Sequence, residues 1–169
     1  MKKFIEKRCA ALVDIDKTIT SKNFFPNNVK IEKNLKFFNL LGNDIVPEEM
    51  KEKIIKLHTF CDVFIFTGRD LDYKICTENF LDKNFIGIKF KVYYSKPFTT
   101  YESYINEKTQ KMLKFILQKK YKRIIIIDDD VNIINEINSF EGLNKFICTC
   151  KIPEQTKKID TFIDVEYNL

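Results

Sequence analysis

The stretch CAALVDIDKT (residues 9–18) carries an apolar run into two aspartates placed one residue apart. Alternate side chains of a strand share a face, so Asp14 and Asp16 converge at its carboxyl end. Carboxylates that close raise each other's pKa unless a cation lies between them. The pair is therefore either a solvated strand terminus or a site for metal binding and proton transfer. Its neighbours along the chain must separate the two.

Other apolar runs end in a similar way. DVFIF (62–66) reads as a buried strand running into Thr67, and RIIIIDDD (123–130) as one running into Asp128, Asp129 and Asp130. Between them lie helical patterns at 30–41, 47–60, 70–84, 105–120 and 131–139, with further strands at 88–94 and 145–149. Strand and helix alternating in this way predict an α/β fold, a three-layer Rossmann-like parallel sheet with helices on both faces. Continuous Ile and Val runs suit strands buried on both sides. Ligands of such sheets bind beyond the carboxyl ends of the strands. Asp14 with Asp16, Thr67, and Asp128–Asp130 are thus predicted on one rim.

Composition narrows the class. A chain of 169 residues reads as one domain, 1–169, with no internal repeat, and its 44% apolar and 31% charged content is ordinary for a soluble protein. Four glycines leave little room for a glycine-rich phosphate loop. The net charge of +5 is nearly all lysine, since Arg8, Arg69 and Arg123 are the only arginines. Forked phosphate and base contacts usually rely on arginine, so the charge carries little weight for nucleic acid. Glu6, Lys7 and Arg8 interrupt any signal-peptide core. No apolar run approaches the roughly 20 residues of a membrane span. Cys9, Cys61, Cys76, Cys148 and Cys150 are odd in number and lack zinc-ligand spacing. Free thiols in a reducing, cytoplasmic setting are expected.

The rim residues suit one chemistry. Paired carboxylates with a third acidic cluster make a hard oxygen site for Mg2+. Thr67, in FTGRD, offers a hydroxyl at a helix entrance, where free backbone N–H groups favour phosphate. Lys108, near the start of the 105–120 helix, brings positive charge. Acid, hydroxyl, lysine and metal together describe phosphoryl transfer through a carboxylate nucleophile.

These residues resemble the motifs of the haloacid dehalogenase (HAD) superfamily of phosphohydrolases. DIDKT is similar to motif I (DxDxT), FIFTGR to motif II, EKTQKML to motif III with its lysine, and IIIIDDD to the acidic motif IV. The resemblance spans residues 9 to about 140 in the expected order. It implies a Mg2+-dependent phosphomonoester hydrolase working through an aspartyl-phosphate. Asp14 would be the nucleophile and Asp16 the general acid and base. The Asp14 and Asp129 carboxylates and the Asp16 carbonyl would hold Mg2+, with Asp128 or Asp130 in support. Thr67, Gly68, Arg69 and Lys108 would bind the substrate phosphate, and Lys108 would also balance charge during catalysis. Lys108 is preferred over Lys111 and Lys96 because it opens the helix leading into motif IV, 21 residues before Asp129. Position 17 is Lys where many relatives have Gly.

Neither the gap from Thr18 to Thr67 nor that from Thr67 to Lys108 leaves room for a full cap domain. An open site is expected, or one under a small flap in which Phe24 and Phe25 pack or line the entrance. Open relatives act on phosphoproteins or nucleic-acid ends, or oligomerise so that a neighbour covers the site. The substrate is accordingly a small phosphorylated metabolite, a phosphoprotein or a nucleic-acid end, with a polynucleotide 3′-end phosphatase as one alternative. A non-catalytic binding or regulatory module on the same fold is another. More modest readings remain for single residues: Thr67 as a helix cap, Asp128–Asp130 as a strand end with an N-cap, and Arg69 paired at the surface with Asp70 or Asp72.

Overall fold

The computed structural model describes residues 9–20, 44–98, 100–118, 121–140, 145–148 and 159–160. The expected helix at 30–41 and the residues Phe24 and Phe25 lie outside these ranges, as does the segment 21–43 on which part of the cap expectation rests.

Five parallel strands form one sheet: β1 (Cys9–Val13), β2 (Cys61–Thr67), β3 (Lys91–Tyr94), β4 (Arg123–Ile127) and β5 (Lys145–Cys148), in the order β3-β2-β1-β4-β5. The helices are α1 (Glu48–Phe60), α2 (Lys74–Asn84), α3 (Tyr101–Gln118) and α4 (Val131–Asn138), with a short 3-10 turn at Leu71–Tyr73 before α2. The expected α/β architecture is present.

Alternation along the central strands divides the core into two layers. Cys9, Ala11 and Val13 of β1, with Ile125 and Ile127 of β4, face Met50, Ile54 and Leu57 of α1 and Phe80 and Leu81 of α2. Ala10, Leu12, Ile124 and Ile126 face Met112, Phe115 and Ile116 of α3 and Ile133, Ile134 and Ile137 of α4. Both faces of β1 are covered, so each of its residues is buried. A strand covered on both sides has no need for polar alternation, which accounts for its unbroken apolar run.

Three local features differ from the sequence reading. The 70–84 helix opens as a 3-10 turn, because the Asp70 carboxylate accepts the Asp72 N–H at 2.9 Å and tightens the start. Helix α3 begins at Tyr101, a turn earlier than expected. Thr100 and Ser103 cap it reciprocally: the Thr100 N–H donates to Ser103 Oγ at 3.2 Å and the Ser103 N–H to Thr100 Oγ1 at 3.1 Å. Cys9 and Cys61, expected as free thiols, form a disulfide across β1 and β2, since the parallel register sets them directly opposite with Cα atoms 4.8 Å apart. Cys76 is a buried free cysteine. Among the described residues no helix is long and apolar enough to cross a membrane.

Between Thr67 and Lys108 the described chain holds only the 3-10 turn, α2, β3 and the start of α3, with no separate domain.

Candidate active site

From β1 the chain adds β2 and β3 on one side of the sheet and then crosses over to add β4 and β5 on the other. Such a switch point opens a crevice at the carboxyl ends of the strands. Val13 pairs with Ile65 on one side and Ile127 on the other, and the Asp14 N–H continues the ladder to Ile127 O at 2.9 Å. The register therefore sets Asp14 beside Asp128, with Thr67 ending the strand on the other flank.

Beyond β1 the backbone closes into a tight turn. The Ile15 carbonyl accepts from the N–H groups of Thr18, Ile19 and Thr20 at 3.2, 3.0 and 3.1 Å. Lys17 takes the left-handed conformation (φ 61°) and is exposed. A side chain is disfavoured in that region and Gly is not, which is a physical reason for relatives to carry Gly there. The turn folds Thr18 back over Asp14. Its hydroxyl lies 2.9 Å from Asp14 Oδ2 and 3.2 Å from Asp129 Oδ1, and accepts the Asp129 N–H at 3.0 Å. Thr18 thus ties β1 to the β4 rim, a role that the motif spelling DxDxT contains but that reading the acids alone passes over.

Lys108 is the cation of this centre. It is 1% exposed, and its Nζ lies 2.7 Å from both Asp14 Oδ1 and Asp128 Oδ2. Burial alone would lower the pKa of this ammonium, but Asp128 and Asp14 more than offset that and hold it well above its usual value. The other lysines considered sit elsewhere: Lys111 Nζ reaches the Tyr94 carbonyl and Glu107, and Lys96 is exposed. Lys108 stands in the interior of α3 and not at its entrance, a consequence of the earlier cap. It also donates to the Tyr104 hydroxyl at 3.3 Å, with its Nζ 5.7 Å from that ring's centre.

The carboxylates of Asp14, Asp128 and Asp129 each offer an oxygen within 4.8 Å of the others. Three hard oxygen donors at this spacing fit a divalent cation such as Mg2+. Asp128 enters this cluster itself, where the sequence reading assigned it support alone. Burial pushes its pKa up to about 7, against the pull of Lys108. Burial and the nearby Asp14 charge raise that of Asp129. Asp130 is held apart as the N-cap of α4, its Oδ1 accepting the Asn132 N–H at 3.0 Å.

Asp16 takes a different partner. Arg69 grips it with two bonds, Nε to Oδ2 at 3.0 Å and Nη2 to Oδ1 at 2.7 Å. Arg69 is 0% exposed; its Nη1 donates to Thr77 Oγ1 at 3.2 Å, and its guanidinium lies 5.6 Å from the centre of the Phe80 ring. The surface pairing with Asp70 or Asp72 is corrected by this arrangement. The side chain turns inward because α2 supplies a hydroxyl and an aromatic ring for it, while Asp16 supplies a matching charge. Burial raises the Asp16 pKa, and Arg69 opposes the rise.

Thr67 and Gly68 are buried at the end of β2. The Thr67 hydroxyl accepts the Arg69 N–H at 3.2 Å. Ser95, just past β3, fixes this corner twice: its hydroxyl donates to the Thr67 carbonyl at 3.0 Å and its N–H to the Arg69 carbonyl at 2.9 Å. Nothing in the sequence near Ser95 marks that role, which depends on β2 and β3 being neighbours.

The parallel sheet and its strand order form the HAD-like α/β fold that the motifs implied. Solved structures agree. The HAD domain of the effector protein Lem4 from Legionella pneumophila is similar with a TM-score of 0.59 and 17% identity, over 96% of this chain and 97% of that one. A chain of the Pnkp1/Rnl/Hen1 complex is similar with a TM-score of 0.57 and 17% identity, and the match covers 85% of this chain. The present chain spans 47% of that partner in the comparison, about half its length. The class C acid phosphatase from Bacillus anthracis, solved with tungstate bound, has a TM-score of 0.51 and 13% identity over 99% of this chain and 65% of that one. No family model matches the sequence, and no curated protein does.

Proposed function

We propose that this chain is a Mg2+-dependent phosphomonoester hydrolase in which Asp14 becomes transiently phosphorylated. The observation that carries the reading is Lys108, buried and 2.7 Å from both Asp14 and Asp128. A buried lysine paired with carboxylates adds little stability over well-packed apolar residues, so its presence favours a use for its charge. A non-catalytic module on this fold has no need to keep that ammonium beside a carboxylate at the rim. The tungstate held by the similar acid phosphatase is a phosphate-like oxyanion, consistent with the same chemistry.

A Mg2+ ion held by Asp14, Asp129 and the Asp16 carbonyl, with Asp128 adjoining, would offset the clustered negative charge and polarise the phosphoryl group. The chain's own groups do the rest. In the first step an Asp14 carboxylate oxygen bonds to phosphorus while the bond to the leaving oxygen breaks. Protonated Asp16 gives that oxygen its proton. In the second, Asp16 takes a proton from water, the water oxygen bonds to phosphorus, and the acyl-phosphate bond to Asp14 breaks. Inorganic phosphate leaves and both residues are restored. Thr67, with the backbone N–H groups around Gly68, and Lys108 hold the phosphoryl oxygens. Arg69 acts on the substrate through Asp16.

The test is a phosphatase assay over a substrate panel, with and without Mg2+. Asp14→Asn should abolish turnover of every substrate. Asp16→Asn should lose more activity on alkyl phosphates than on aryl phosphates, whose better leaving groups need less protonation. Near-normal turnover by pure Asp14→Asn, with no deamidation by mass spectrometry, would refute the mechanism.

A further inference from the structure

We infer that the aromatic residues at the start of α3 form a wall that receives the base of a nucleotide phosphomonoester, either a free nucleotide or the end of a nucleic acid. This rests on the phosphatase reading above and names the substrate class of that site. Phe98, Tyr101 and Tyr104 form a cluster, with ring centres 5.0 Å apart for Phe98 and Tyr104 and 6.1 Å for Tyr101 and Tyr104. Two of the three are pinned by their hydroxyls, Tyr104 at the acidic centre and Tyr101 at the N-cap of α4. Tyr104 meets Lys108 at 3.3 Å. Tyr101 donates to Asp130 Oδ2 at 2.6 Å and accepts from Asn132 Nδ2 at 3.1 Å.

Tyr101 is nevertheless 56% exposed. A tyrosine fixed at its tip, with its flank in solvent, is a rigid apolar surface offered at little further entropic cost. Its place in the site indicates what it meets. A phosphoryl group on Asp14 lies within reach of Lys108 Nζ, while the Tyr104 ring centre is 5.7 Å from that nitrogen and the Tyr101 ring centre 6.1 Å from that of Tyr104. A nucleobase stands a sugar away from phosphorus, a spacing suited to rings set off from the lysine in this way. Aromatic side chains stack on any base, so such a wall selects for a nucleotide without selecting a sequence. Exposed Lys17, on the turn between Asp16 and Thr18, adds a positive charge suited to a substrate with further phosphates.

The experiment compares kcat and KM for wild type, Tyr101→Ala and Tyr101→Phe with Mg2+ present. The substrates are adenosine 3′- and 5′-monophosphate, short oligonucleotides with a 3′ or 5′ phosphate, glycerol phosphate and a phosphotyrosine peptide. Wild type should favour base-bearing substrates over glycerol phosphate. That preference should fall at least fivefold, through KM, in Tyr101→Ala, and stay within twofold in Tyr101→Phe, which keeps the ring. If Tyr101→Ala does not fold, Tyr101→Leu serves the same comparison. Oligonucleotides exceeding mononucleotides tenfold would identify a nucleic-acid end, and parity a free nucleotide; both support the wall. An unchanged preference in Tyr101→Ala, a loss shared equally by glycerol phosphate, or a dependence confined to phosphotyrosine would overturn it. Absence of turnover for every substrate would instead overturn the phosphatase reading, and the wall with it.

Discussion

Asp14 and Asp16 stand one residue apart yet meet opposite surroundings. Asp14 faces Lys108, Thr18 and the acidic rim, while Asp16 is gripped by Arg69 from the β2 side. The repulsion expected of two adjacent carboxylates is relieved by giving each its own cation. A buried ion pair broken by removing one partner leaves an uncompensated charge, at a cost of about 3–5 kcal/mol. Arg69→Ala should therefore lose about that much in urea unfolding, and the double variant Arg69→Ala with Asp16→Asn should recover a large part of it. An Arg69 that only touched substrate would alter KM in Arg69→Ala and leave the unfolding midpoint in place.

Helix α3 carries Lys108 together with Tyr101 and Tyr104, and its start is decided by two small polar residues. The reciprocal Thr100 and Ser103 bonds lengthen the helix by a turn beyond the run of apolar spacing. That extra turn carries Tyr101 and Tyr104, seven and four residues before Lys108; Tyr104, one turn from the lysine, meets it directly. Loss of an N-cap side chain costs roughly 1 kcal/mol. Thr100→Ala should lower stability by about that amount. Hydrogen exchange should speed up at the first turn of α3 and stay unchanged at its carboxyl end. Uniform protection along α3 in the variant would show that the cap is not what sets the helix start.

At the scale of the molecule, the sheet gathers three carboxylates within 4.8 Å, a concentration of negative charge that one lysine only partly neutralises. A cation that binds the folded chain alone stabilises it by mass action, by about 2.7 kcal/mol at one hundred times its Kd. Millimolar Mg2+ should raise the melting temperature. Asp129→Asn should be more stable than wild type without Mg2+, because one like charge is gone, and should lose most of the shift. A Mg2+-dependent rise of equal size in the two proteins would place the ion elsewhere.

Strand ends and helix patterns were legible because burial on both faces demands unbroken Ile and Val, and because acids at strand ends interrupt those runs abruptly. From the sequence alone came the α/β class, the rim and the four motif positions, each recognised from a local pattern. Tertiary structure alone decided the partnerships. Arg69 turns inward because α2 brings Thr77 and Phe80 to it, and Asp128 joins Asp14 because β1 and β4 are neighbours in register. Cys9 meets Cys61 and Ser95 braces the Thr67 corner for the same kind of reason: residues far apart in the chain become adjacent across a parallel sheet. Local periodicity reports which way a side chain faces, but what it faces depends on strand order, and no short stretch of sequence encodes that.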